Sequence, residues 1–366
     1  MSSKPKVLED TWTFQEVGTP FPQNAVKAHG QANMYVALGY KHGKPFMGRA
    51  WNDSGVVQCS FIMNGTVQQG KEIGGSIQLL TYSKTHSEVG FWYDWIPFTR
   101  WKEEEARDMF AVRCGASVPV FLQEMVSLGY LDTGEGKAYM QVGERKFETV
   151  PSTSPKFNNL LVLCRMIHGG PPHCQCPICA TCKTKKRAPL MVNDWVDYKE
   201  GDRFPVDKPV HMGLGRALAT PWGNQEQFVA LWYRHGKPVM GRAWNDSGNI
   251  GAAFVDQGRV YHGRTVGSLQ LLVELPPLVA GYDYKWIPYE EVAANREAPE
   301  CLPLHMDHVA PCVICINNTE ILGGINLKLE VAECTLLDGT LKRYEGGQLK
   351  NFLVLCRKER DDTMWI

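Results

Sequence analysis

HGKPFMGRAWNDSG, residues 42–55, returns as HGKPVMGRAWNDSG, residues 235–248, with thirteen of fourteen positions identical at an offset of 193. Outward from this pair the matches continue. Trp12 with Phe21-Pro22 recurs as Trp195 with Phe204-Pro205 at an offset of 183, so the second copy carries ten extra residues before Val229-Ala230-Leu231. Downstream, Gly75-Ser76-Ile77-Gln78-Leu79-Leu80 recurs from Gly267 to Leu272, Trp95-Ile96-Pro97 as Trp286-Ile287-Pro288, and Leu161–Arg165 as Leu353–Arg357. A period near 190 residues excludes solenoids and propellers, whose repeats run roughly 20–50 residues. It describes a whole domain written twice: a first domain at 1–167, a linker at 168–189 rich in Cys, Pro and Lys, and a second domain at 190–366.

Within each copy the local signals are those of strands and tight turns. Met34–Lys41 is an apolar, aromatic run, His42-Gly43-Lys44 is a turn, and Pro45–Trp51 returns. Asn52-Asp53-Ser54-Gly55 is a second turn, because Asn and Asp bond their own backbone and Gly accepts a left-handed conformation. Asn64-Gly65 is a hairpin turn. Further strands are expected at Ser76–Tyr82, Gly90–Trp95, Val118–Glu124, Lys137–Val142 and Asn159–Cys164. A helix is expected over Trp101–Val112, capped by Thr99, and a shorter one over Glu290–Arg296. The fold class expected is therefore mainly β, a β-rich α+β chain of two tandem homologous domains, each an antiparallel sheet structure with one short helix.

Composition narrows the function classes. Lys+Arg and Asp+Glu are 39 each, so no field of one sign draws the chain to nucleic acid or an anionic membrane. No apolar run reaches transmembrane length and the N-terminus shows no apolar signal core, so a cytoplasmic chain with free thiols is expected. Gly65–Lys71 resembles a phosphate loop, but Glu72 stands where a Ser or Thr should hold magnesium, and a strand follows rather than a helix. The sequence carries no nucleophile elbow, zincin motif or dinucleotide fingerprint, so nothing in it argues for an enzyme.

Two groups of residues are candidates for binding. Cys174, Cys176, Cys179 and Cys182 fall within nine residues, beside His168 and His173. Cys-x-x-Cys spacing supplies two zinc ligands, yet no second knuckle follows 12–20 residues away. The cluster is read three ways: thiols without a role, a small metal clip holding zinc, or a disulfide. Cys312 and Cys315 share the spacing but sit in an apolar strand and are read as core. In the duplicated segment, Arg49 with Asp53 and Arg242 with Asp246 place charged hydrogen-bonding groups at one position of both copies. A structural hairpin explains most of these residues, and a binding loop is the alternative.

Taken together, the two GRAWNDSG segments, GSIQLL with GSLQLL, and DWIPF with KWIPY resemble the cytosolic motility proteins of nematode sperm, the major sperm protein fibre protein two family. The resemblance covers both copies. It implies a non-enzymatic, two-domain β-rich accessory protein of the cytoplasm and pseudopod cytoskeleton that binds major sperm protein filaments and promotes their polymerisation in amoeboid motility. It further implies control by phosphorylation, hence a regulatory kinase as partner. The candidate acceptors are Ser152, Thr153 and Ser154 between two prolines, and Thr181 and Thr184 beside the basic run Lys183–Arg187. A fainter similarity is to the DM-nine repeats of some carbohydrate-binding lectins, through Gly43-Lys44-Pro45, Gly48-Arg49-Ala50 and Gly55. It implies Asp53 and Asp246 as sugar-holding residues.

Overall fold

The computed structural model describes residues 7–104, 109–167, 170–171, 174, 191–221, 223–276, 280–295 and 302–360. The chain is mostly β, in antiparallel sheets with few short helices, and divides into two compact units, residues 1–41 with 45–192 and residues 42–44 with 193–366.

The first unit opens with strands β1 (Thr11–Glu16), β2 (Tyr35–Lys41), β3 (Lys44–Asp53), β4 (Val56–Met63), β5 (Thr66–Gln69) and β6 (Ser76–Thr81), ordered β1-β6-β2-β3-β4-β5. After the short helix α1 (His86–Val89) come β7 (Trp92–Pro97), helix α2 (Phe98–Glu104), β8 (Met109–Ala111), β9 (Ser117–Leu122), β10 (Ser127–Asp132), β11 (Lys137–Gln141), β12 (Phe147–Pro151), helix α3 (Pro155–Asn158) and β13 (Leu160–Met166). These strands are ordered β12-β11-β10-β9-β13-β7, with β8 also paired to β13.

The second unit repeats the plan. Strands β14 (Asp194–Lys199), β15 (Leu218–Thr220), β16 (Gly223–Gln225), β17 (Phe228–Arg234), β18 (Lys237–Asp246), β19 (Asn249–Asp256), β20 (Arg259–His262) and β21 (Ser268–Val273) give the order β14-β21-β17-β18-β19-β20, with β15 and β16 as a separate hairpin. Then β22 (Tyr282–Pro288), helix α4 (Tyr289–Ala294), β23 (Leu302–Pro303), β24 (Val309–Ile316), β25 (Thr319–Asn326), β26 (Val331–Thr335), β27 (Leu341–Glu345) and β28 (Leu353–Glu359) give β22-β28-β24-β25-β26-β27, with β23 on β28. Setting aside β8 and β23, all four sheets share one order: first strand, last strand, then second to fifth. The duplicated unit is thus itself a pair of sheets of one topology, a level of repetition that the sequence matches do not reach.

The turns form as their residues dictate. Ser54 and Gly55 have φ of 53° and 94°, and Ser247 and Gly248 have 52° and 94°, the two left-handed positions that a tight hairpin demands. In each, the Asn oxygen caps the turn: the Gly55 amide donates to Asn52 Oδ1 and the Gly248 amide to Asn245 Oδ1, both at 2.7 Å. The Phe-Pro pairs seen in the sequence dock here, since the Phe21 amide donates to the Gly55 carbonyl and the Phe204 amide to the Gly248 carbonyl, both at 2.9 Å. Most of the ten extra residues of the second copy form the β15–β16 hairpin.

The expected helix over Trp101–Val112 is not found: α2 covers Phe98–Glu104, and Met109–Ala111 is a strand. Pairing with Cys164–Met166 of β13 buries Met109 and Ala111 in the core beneath the second sheet, and this outweighs weak helix propensity. Likewise α4 starts one residue earlier than expected and ends at Ala294. In the first unit Ile96, Val120, Leu122, Val162 and Cys164 pack with Trp101 and Phe157 on one face of the second sheet. Its other face meets the first sheet, where the Met47 amide donates to Ser117 Oγ (3.0 Å) and Ser60 Oγ to Gln141 Oε1 (2.7 Å).

A glycine recurs in the third strand of the first sheet of each unit and in its counterparts in the second: Gly48, Gly129, Gly241 and Gly323. A β-carbon there would lie 2.6, 2.0, 2.4 and 2.4 Å from the carbonyl oxygens of Ser60, Tyr139, Ala253 and Glu333. No side chain fits so close to a neighbouring strand without moving backbone. Gly129→Ala is therefore expected to cost about 1–3 kcal/mol, whereas Gly347→Ala, with nothing within 4 Å, should change stability by less than about 0.5 kcal/mol. Thermal unfolding of the two variants checks this, and an unshifted midpoint for Gly129→Ala would contradict it.

Candidate binding site

The duplicated segment forms β3 with its turn, and β18 with its turn. Alternation along a strand puts Arg49, Trp51 and Asp53 on one face, and Arg242, Trp244 and Asp246 on the equivalent face. The guanidinium carbons lie over the indoles at 5.7 Å (Arg49 on Trp51) and 5.2 Å (Arg242 on Trp244). Arg242 is 2 % exposed. Its Nη2 donates to the Leu336 carbonyl at 3.2 Å and its Nη1 to Gln225 Oε1 at 3.5 Å, while Nε is buried without a hydrogen-bond partner among the described residues. Burial lowers the Arg242 pKa to about 10 and pulls that of half-buried Arg49 down as well. Asp53 and Asp246 sit exposed at the turns. Four residues of strand separate each acid from its arginine, about 13 Å of backbone. The arginines thus serve the interior of each unit, and the hairpin tips are what each unit offers to solvent.

One functional-looking group at the second tip escaped the sequence reading. Glu200, just after β14, accepts hydrogen bonds from the backbone amides of Gly263 and Ala252 and lies near Asp246. Burial is the dominant influence and lifts its pKa to about 7. No motif marks it, and Val17 holds the matching place of the first copy.

The two copies differ where β1 and β14 approach the second sheet of their unit. In the first unit, largely buried Asp10 accepts a hydrogen bond from the Tyr93 hydroxyl (2.8 Å) and lies 3.7 Å from Arg165 Nε, an ion pair too long for a hydrogen bond. Burial raises the Asp10 pKa, Arg165 opposing it, and burial together with Asp10 holds Tyr93 well above its usual value. The second unit has Asn193 instead, bonded by the Tyr284 hydroxyl at 2.7 Å, with Arg357 over the Tyr282 ring at 5.4 Å. Next to it, buried His211 Nδ1 is 2.6 Å from Glu274 Oε1, and this contact holds the Glu274 carboxyl below its ordinary value. The backbone pattern matches His211 to Val26 and Glu274 to Tyr82 of the first unit, so this pair belongs to the second copy alone. Glu274, Tyr282, Asp283, Tyr284 and Arg360 line a cavity of about 350 Å³, with Arg360 paired to Asp283.

Of the linker cysteines, only Cys174 lies among the described residues. It is half-buried, and its Sγ is 3.3 Å from His86 Nε2. Cys176, Cys179 and Cys182 lie outside the described residues, as do Thr181 and Thr184. Among the described residues no three His, Cys, Asp or Glu side chains are grouped to hold a metal. Cys312 is fully buried and Cys315 half-buried in β24, and burial pushes the Cys315 thiol up to about 11. Ser152 and Thr153 are exposed between β12 and α3, and Ser154 is half-buried as the residue preceding α3. No helix among the described residues is long and apolar enough to cross a membrane.

Because the folded pKa of Glu200 is raised above its unfolded 4.5, its contribution to stability is intact below about pH 4.5 and is lost as pH rises through about 7. Glu200→Gln should leave the midpoint of the second unit unchanged at pH 4 and raise stability by about 1–2 kcal/mol at pH 8, allowing for solvent screening of a half-exposed group. Thermal melts of both proteins across this range check the sign, and a gain that shrinks with rising pH would contradict it.

Comparison with known proteins places this architecture. The sequence model of the MFP2b family, described as cytosolic motility protein, matches residues 9–167 and 192–359, one match in each unit. The crystal structure of the nematode sperm cell motility protein MFP2B is 40 % identical in sequence, covers 97 % of this chain and 99 % of its own, and superposes with a TM-score of 0.51. Among curated proteins no match is found. With the family matched across both copies and a solved relative spanning nearly the whole chain, the chain belongs to the MFP2b cytosolic motility protein family.

Proposed function

We propose that this chain binds major sperm protein filaments and promotes their polymerisation, working as an accessory of the sperm pseudopod cytoskeleton without catalysis. The observation that carries the reading is the family match in both units, together with a nematode sperm motility protein 40 % identical along the chain.

The physics asks only for surfaces that prefer assembled subunits. A ligand shifts an equilibrium by its differential affinity for the two states. Two units on one chain, each exposing the same hairpin tip at Asp53-Ser54 and Asp246-Ser247, supply that preference simply. Each binds weakly, and once one is engaged the other meets neighbouring filament subunits at high effective concentration, an advantage that a free subunit does not give. Phosphorylation at exposed Ser152 or Thr153 places about two negative charges beside the start of α3 and regulates the contact by attraction or repulsion.

A protease site inserted in the 168–189 linker tests the bivalent arrangement. Filament growth is followed with the intact chain and with the chain cut after folding, once gel filtration shows that the halves have separated. Cutting should reduce the concentration-dependent acceleration by at least roughly tenfold. Separated halves as active as the intact chain at equal molarity would contradict bivalency.

A further inference from the structure

We infer that the second unit carries a slot for an extended segment of a partner chain, one that bears a lysine or arginine beside an apolar residue. The slot is the cavity of about 350 Å³ whose lining includes Glu274, Ala280, Tyr282, Asp283 and Arg360.

The first unit shows what the fold places at this position. Val7 and Leu8 lead into β1 there. Val7 is buried, and the Leu8 amide donates to the carbonyl of Val89, the last residue of α1, at 2.8 Å. The offset of 183 that relates Trp12 to Trp195 also relates Leu8 to Met191, and the offset that relates Trp95 to Trp286 also relates Val89 to Ala280. The equivalent bond would run from the Met191 amide to the Ala280 carbonyl, and it is not made. Met191 belongs to the first unit, where its amide donates to the Val7 carbonyl at 2.9 Å. The Ala280 carbonyl takes only a long bond from Arg360 Nη1, at 3.3 Å. A carbonyl oxygen has two lone pairs, so it can still accept a peptide amide. The second copy has thus given up the residues that lead into its first strand, and a cavity lies beside the carbonyl that they would have reached. Strand addition uses such a place: main-chain hydrogen bonds hold the segment and a pocket reads its side chains.

The lining sets the charge of the occupant. Glu274 and Asp283 stand where the first unit has Tyr82 and Trp92, so the place is recharged as well as vacated. Each acid uses one carboxylate oxygen. Glu274 Oε1 faces His211 Nδ1 at 2.6 Å, and Asp283 Oδ1 accepts from Arg360 Nε at 2.9 Å and from its Nη2. The second oxygens, Glu274 Oε2 and Asp283 Oδ2, receive no hydrogen bond among the described residues. Both side chains are about half exposed, so a ligand can reach them. The hydrogen bond with His211 holds the Glu274 carboxyl below its ordinary value, and that with Arg360 does the same for Asp283, so both are charged at neutral pH.

The positive charges on hand do not balance them. Arg360 supplies one. His211 is buried with Nε2 lacking a partner among the described residues, and a protonated ring would bury that N–H without an acceptor. The neutral ring, donating through Nδ1, is therefore the favoured form, and the site keeps one negative charge in excess. Two open carboxylate oxygens and one uncompensated charge suit an ammonium or guanidinium group. Beside them Pro209, Leu275 and Pro276 supply apolar surface for a neighbouring aliphatic side chain. The volume is at the small end for ligand pockets and fits side chains of an extended segment rather than a folded element.

The test uses the full chain and a synthetic peptide, acetyl-Lys-Pro-Lys-Val-Leu-amide, the sequence of residues 4–8. Its Val-Leu is the pair that leads into β1 in the first unit, and its lysines supply the cations. Titration calorimetry should show one saturable site per chain with a dissociation constant of about 0.1–1 mM. Glu274→Gln keeps the size of the side chain and an acceptor for His211, and should weaken binding by about fivefold or more. Replacing both peptide lysines by glutamine should do the same, and the two losses should fall short of adding when combined. Glu290→Gln, an exposed carboxylate of α4, should leave the affinity unchanged, and matching thermal melts show that each variant is folded. Absence of saturable binding up to about 5 mM would overturn the inference, as would an affinity unaffected by Glu274→Gln. So would binding that appears only after residues 361–366 are removed, since the slot would then belong to this chain's own C-terminus.

Discussion

The structure depends on how closely the third strand of each sheet approaches its neighbour. At Gly48, Gly129, Gly241 and Gly323 the strand runs so near the fourth that a β-carbon has no room beside the facing carbonyl. These are also the places where the two sheets of a unit meet. Met47, just before Gly48, donates its amide to Ser117 of the opposite sheet, and Gly324, just after Gly323, lies where an added β-carbon would be 2.9 Å from the Met240 carbonyl of the opposite sheet. The close approach permitted by glycine lies beside contacts between the sheets, and hydrogen bonds such as that from the Leu322 amide to Gln227 Oε1 (2.8 Å) fix the register between them. Repeated four times, the same local constraint builds the whole chain.

On that shared frame the copies have drifted in a directed way. The hairpin cores, with arginine stacked on tryptophan and asparagine capping the turn, are the same in both units. The junction beside β1 and β14 is not: an ionic Asp10–Arg165 contact in one unit stands against a neutral Asn193 and a His211–Glu274 pair in the other. A single change from carboxylate to amide replaces the Asp10 charge with neutral Asn193, while the matching arginine, Arg357, is kept and lies over the Tyr282 ring. A chain whose units keep one scaffold and vary their borders suits repeated engagement of a repeating partner.

Much of this was legible in the sequence because it rests on local chemistry. Asn-Asp-Ser-Gly and Asn64-Gly65 determine their turns, and alternating apolar runs between them make strands, so the class and the doubling were readable. The second level of repetition was not. Sheets such as β1–β6 and β7–β13 share strand order and one glycine but almost no side chains, and topology leaves no mark on composition. The helix expected through Val112 failed because β13 offered Met109–Ala111 a better-buried partner. Arg242 was singled out as a charged hydrogen-bonding group of a hairpin or binding loop, and only the packing of both sheets reveals it to be interior. His86 carried no signal at all, being distant in sequence from the cysteine it meets.

The central claim is that two like sheet units grip a polymer through noncovalent contact. Co-sedimentation of the intact chain with preassembled major sperm protein filaments, against unassembled subunits in gel filtration, tests it most directly. The account predicts that the chain pellets with filaments in a saturable manner and elutes apart from free subunits. A chain that stays wholly in the supernatant, in both its phosphorylated and unphosphorylated forms, would contradict it.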